Sequence, residues 1–86
     1  MPELSRFFGI IIAMYYNDHA PPHFHAKYGD DEATVRIDTG DVLEGSLSSR
    51  ARRLIEEWRL LHQAELNDAR SRARAREPLN KIPPLE

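Results

Sequence analysis

PHFHAKYGDDEATVRID, residues 22–38, holds two alternating runs on either side of an acidic turn. Successive side chains of a strand point to opposite faces. Phe24, Ala26 and Tyr28 therefore share one face of the first run, and His23, His25 and Lys27 share the other. In the second run Ala33, Val35 and Ile37 are apolar, while Thr34, Arg36 and Asp38 are polar. A hairpin closing at Asp30-Asp31 reconciles the two patterns, pairing Phe24 with Ile37, Ala26 with Val35 and Tyr28 with Ala33. Its polar side then sets His25 opposite Arg36, Lys27 opposite Thr34 and His23 opposite Asp38. One face belongs to a core; the other carries the imidazoles.

Working outward, Phe7 to Tyr16 is rich in aromatic and β-branched residues and ends in turn formers, which predicts a strand. Both of its alternating faces are apolar, so it needs cover on both sides. On the C-terminal side, Asp38-Thr39-Gly40-Asp41 is a turn, and Val42 to Gly45 suits a short fourth strand. Ser48 or Ser49 then caps a helix. No Gly or Pro interrupts the chain from there to Ala75, and Leu54, Ile55, Trp58 and Leu61 fall at helical spacing. A rod of that length reaches ~40 Å, against ~30 Å for so small a domain. Its distal end, with Arg70, Arg72, Arg74 and Arg76, is expected to project or to meet a second copy, its cations favoured by the helix dipole. In the proline-rich end, Leu79, Ile82 and Leu85 recur every third residue, the polyproline II period, and would dock on an apolar groove.

The expected architecture is a single α+β domain spanning residues 1–86. A three- to four-stranded antiparallel sheet (5–46) carries one long helix (49–75) on one face, followed by an extended tail (76–86).

Composition excludes several functions. With no cysteine among 86 residues, disulfides, thiolate metal sites and thiol nucleophiles are ruled out. The apolar run 7–16 is half the ~20 residues a membrane span requires and lacks a signal peptide's basic flank. A cytoplasmic protein is the expectation. The net charge of −2 conceals an asymmetry: residues 1–49 carry three cations against eight acids, and residues 50–86 carry nine cations against six acids. Uniform basicity, the footprint of a nucleic-acid binder, is absent.

Three of the four histidines lie within seven positions, at His19, His23 and His25. His23 and His25 project from one strand face, which suits a chelate that His19 could complete, with a divalent metal such as zinc. No cofactor is required, because the same residues could work without metal. One imidazole would accept a proton and another donate it, with Arg36 holding a phosphate and Asp38 orienting a ring. A third alternative is a polar turn whose side chains satisfy one another. His62 and Glu65, three apart on the helix, form a second pair, best explained by a mutual hydrogen bond beside Trp58. That pair faces the apolar side of the sheet, so it joins His23 and His25 only across a dimer contact. Tyr28 could border the histidine pocket.

DHAPPHFHAKYG, EWRLLHQAEL and EPLNKIPPLE together resemble the bacterial domain-of-unknown-function family 4160 over essentially the whole chain. The resemblance marks His19, Pro22, His23, His25, Tyr28, Glu32, Trp58, His62 and Glu65. Relatives often carry Pro near Ser48 and Trp near Arg70, where this chain departs. The resemblance implies no established activity. It implies a gene arrangement similar to two-gene toxin–antitoxin modules, hence a small partner protein encoded by a neighbouring gene; separately, the doubly apolar first strand and the overlong helix favour a homodimer, such a partner, or both. RNA or DNA is a further target it would suit. The expectation is an interaction component of such a module. The alternative is a small ribonuclease or phosphodiesterase using the His19–His25 cluster, with or without a divalent metal: His23, His25 and Arg36 would be catalytic, with His19, Tyr28, Asp38, His62 and Glu65 in binding roles.

Overall fold

A computed structural model of the chain describes residues 2–16 and 21–86. Five antiparallel strands lie in the order β1-β2-β3-β4-β5: Glu3–Phe7, Ile10–Ala13, His23–Tyr28, Asp31–Arg36 and Val42–Gly45. Two helices follow, α1 (Ser49–Leu61) and α2 (Gln63–Arg74). The class is α+β, but the expected three or four strands are five and the single long helix is two.

The extra strand comes from the apolar run. It folds back at Phe8-Gly9, where φ values of 48° and 81° give the two left-handed residues of a type I′ turn. Phe7 then pairs with Ile10. Phe7, Ile10, Ile12 and Met14 enter the core, and Ile11 stays half-buried on the outer face. No second cover is needed, which removes the strand's argument for a second copy.

Phe8 is a costly residue for such a turn, because its Cβ crowds the backbone at positive φ, and its ring is 52% exposed. Phe8→Asn is therefore expected to stabilise the chain by about 1 kcal/mol. Thermal unfolding would show this as a rise of several degrees; a fall would mean that the exposed ring supplies more than it costs.

The 22–38 hairpin forms with its apolar and polar faces as expected, but its register is shifted. Tyr28 pairs with Asp31 and His23 with Arg36, closing the turn at Gly29-Asp30. A slip of two residues preserves every side chain's face, so alternation alone could not choose between the registers. Gly29, at φ 61°, decides the turn.

Ser48 caps α1, its Oγ accepting from the Ala51 amide at 3.2 Å. Ala51, Ile55 and Trp58 bury against the sheet's inner face. At His62 the backbone departs from helical values (φ −123°, ψ 31°), although Leu66 N still donates to His62 O. The longest dimension of the domain is 33 Å, shorter than a straight rod of 27 residues (~40 Å). The kink resolves the mismatch and lets Leu66, Ala69 and Ala73 enter the same core. The helix therefore gives no reason to invoke a partner copy. Beyond Ala75, Ile82 N donates to Leu4 O at 2.8 Å and Trp58 Nε1 donates to Pro83 O at 2.9 Å. Ile82 and Leu85 are buried, so this segment closes the β1 edge of the sheet.

The β4–β5 loop is held by α1. Arg59, 4% exposed, donates to the Ile37 carbonyl at 2.8 Å and grips Glu56 through Nε and Nη2. The hydrogen bond from Arg59 holds the Glu56 carboxyl below the usual glutamate range, against the opposing effect of partial burial. A depressed folded-state value contributes stability above the unfolded pKa, ~4.3. That contribution fades as pH falls through the lower folded value. Glu56→Gln should therefore be less stable than wild type near neutrality, the gap closing in acid. Urea midpoints across pH measure it; a gap independent of pH would contradict the ion pair.

Candidate functional site

The outer face of the sheet is built by the residues that alternate away from the core. Along β3, Phe24 and Ala26 are fully buried, His23 and His25 are half-buried and Lys27 is exposed. Register places Ala13, His25, Thr34 and Glu44 in one cross-strand row, with Lys27 beside Glu32 in the next. Tyr15, His25, Glu32, Thr34 and Glu44 border an open groove of about 490 Å³.

The imidazoles are arranged by their neighbours. His25 meets the Tyr15 ring edge-on, with centroids 4.4 Å apart, and the His23 ring lies 5.2 Å from that of His25. His23 Nδ1 is 2.7 Å from the Pro21 carbonyl. A carbonyl can only accept, so Nδ1 carries the hydrogen and Nε2 is the acceptor nitrogen of the neutral ring. That tautomer suits proton acceptance or metal ligation.

All three expected pairings on the polar face change with the register. His25 stands opposite Thr34, not Arg36; His23 stands opposite Arg36, not Asp38; and Lys27 stands opposite Glu32, not Thr34. Arg36 in turn grips Asp38 with Nε and Nη2, at 2.5 and 3.1 Å. Hydrogen bonding lowers the Asp38 carboxyl and raises the Arg36 guanidinium from their ordinary values. A phosphate held by Arg36 would have to displace that carboxylate.

The remaining candidates lie elsewhere. Tyr28 packs on the inner side against Gly9, and its hydroxyl accepts from Arg50 at 3.3 Å. His62 donates from Nδ1 to Glu65 at 2.7 Å, and its ring sits 5.5 Å from that of Trp58. Trp58 touches Phe24, whose ring lies 5.9 Å away on the face opposite the strand histidines. Among the described residues no three His, Cys, Asp or Glu side chains are placed to hold a metal ion. His19, needed for the expected His19–His23–His25 ligand set, lies outside the described residues. Among them, no helix is long and apolar enough to cross a membrane.

Sequence reasoning missed the Arg59–Glu56 anchor. Its only signal was the i, i+3 spacing of opposite charges and a glycine at position 40. A Cβ there would come within 2.8 Å of Arg59 Nε.

Residues 9–69, from the β1–β2 turn into α2, match a domain of unknown function, DUF4160. The chain belongs to the DUF4160 family. In this DUF4160 chain the matched span holds the strand histidines, Trp58, His62 and Glu65. No curated protein and no solved structure matches it.

Proposed function

We propose that this chain is a cytoplasmic interaction protein, one component of a two-gene module of the toxin–antitoxin kind. Its partner is the small protein encoded beside it. The observation that carries this reading is the pair Leu60 and Leu61, 62% and 64% exposed at the end of α1. Two adjacent leucines on a helix that elsewhere buries its apolar residues form a patch suited to a protein contact. Electrostatics point the same way. The sheet half is acidic and Arg36 is neutralised by Asp38, so the histidine face offers no strong attraction to a polyanion. Tagged chain co-expressed with the neighbouring gene product is expected to retain it through purification, and Leu60→Asp/Leu61→Asp to lose it. A chain that purifies alone at high concentration contradicts the proposal.

A second reading rests on the fixed tautomer of His23 beside His25, with or without a divalent metal. These are parts a phosphodiesterase would use. RNA cleavage that disappears in His23→Ala/His25→Ala would favour it; unchanged cleavage would end it.

A further inference from the structure

The first turns of α1 carry Arg50, Arg52 and Arg53 and no acid, although the positive end of the helix dipole disfavours cations. Arg6, Arg36, Arg59, Arg72 and Lys81 each meet a carboxylate. Arg52 and Arg53 form no ion pair among the described residues. Both rim a groove of about 350 Å³ between α1 and β5. Its floor is apolar, made by Val35, Val42, Leu47 and Ile55. It runs from the Thr39-Gly40 turn, past Val42 and Leu47, to the start of α1. Val42 and Leu47 are only half-buried. Arg53, Glu56 and Leu60 recur at i, i+3 and i+7 and share one stripe of α1, so the groove rim continues into the leucine patch.

We infer that this groove receives an acidic, leucine-type segment of the partner protein, in extended form, with carboxylates on Arg52 and Arg53 and apolar side chains on the floor. The inference rests on the interaction reading above and adds where the partner binds and with what chemistry. Arg52 and Arg53 outnumber the one lining carboxylate, Glu56, which Arg59 already pairs, so charge complementarity selects an anionic occupant, and the floor selects an apolar one. No aromatic side chain lines the groove among the described residues, so it lacks the stacking surface that single-stranded nucleic acid uses.

The test titrates the whole chain with a fluorescein-labelled peptide of alternating glutamate and leucine, followed by anisotropy. Its Lys/Leu and Glu/Ser counterparts and an oligouridylate of equal length serve as comparisons. The Glu/Leu peptide is expected to bind best, more weakly at higher salt. Arg52→Glu/Arg53→Glu is expected to weaken it by about tenfold or more, the scale of one lost charge contact. That variant should fold at least as well as wild type, since acids suit this end of a helix; circular dichroism checks it. Equal binding of the Lys/Leu peptide, no binding of the Glu/Leu peptide, or oligouridylate binding lost in the same variant would each overturn the inference. A natural partner retained by Arg52→Glu/Arg53→Glu would overturn it too, while leaving the interaction reading intact.

Discussion

Trp58→Ala is expected to lose about 3–5 kcal/mol of stability. The indole is fully buried, 5.5 Å from Phe7 and 5.9 Å from Phe24 between ring centroids, and donates to the Pro83 carbonyl. It touches β1, β3 and the C-terminal segment together. Its removal leaves a cavity that α1 cannot close, because Arg59 fixes the helix to Ile37. It also frees the segment that closes the β1 edge. For a domain this size total stability is of order 4–13 kcal/mol, so the loss is a large share of it. Urea unfolding followed by far-ultraviolet circular dichroism measures it. Trp58→Phe, which keeps much of the volume but not the N–H donor, should lose less. Equal losses would place the indole's contribution in its hydrogen bond alone.

Gly45→Ala is expected to be nearly as damaging, through backbone instead of core. Gly45 lies at φ 76° and pairs with Ala33. A Cβ there would stand 2.1 Å from the Glu32 carbonyl oxygen and 3.0 Å from Ala33 Cα, neither of which can rotate away. The left-handed conformation alone costs about 1–2 kcal/mol, and overpacking adds roughly 1–3 kcal/mol. Gly29→Ala is the control, since nothing lies within 4 Å of its Cβ position at a similar φ. If the two variants melt together, strain at φ, not the approach to β4, sets the cost.

Some of this architecture was legible in the residues, and the reasons differ by element. The faces of β3 and β4 followed from strict alternation, and with them the separation of His23 and His25 from Trp58. Their register did not, because alternation repeats every two residues and the choice fell to Gly29. The split of the apolar run at Phe8-Gly9 was invisible for a related reason. A run apolar on both faces carries no alternation to break, and Phe is not a residue that announces a left-handed turn. The kink at His62 has no Gly or Pro to mark it. Ala69 and Ala73, small enough to let α2 lie close, carry too little apolar area to reveal that the buried stripe continues.

The candidate site was legible as residue types and misjudged as pairings. The two-residue slip moved His25 off Arg36, and Asp38 took the guanidinium instead. What the sequence could not offer was the unpaired arginine rim of α1, because pairing is a property of three dimensions.

Among the described residues, the strand histidines and the His62–Glu65 pair occupy opposite sides of the sheet and form no common centre. A zinc titration of untagged protein, followed through the ring-nitrogen resonances of its histidines, tests it most directly. The expected result is that His62 never moves in step with His23 and His25, whether or not those two respond. All three shifting together to one saturation point would contradict the account and replace it with a single multinuclear or multi-ligand site.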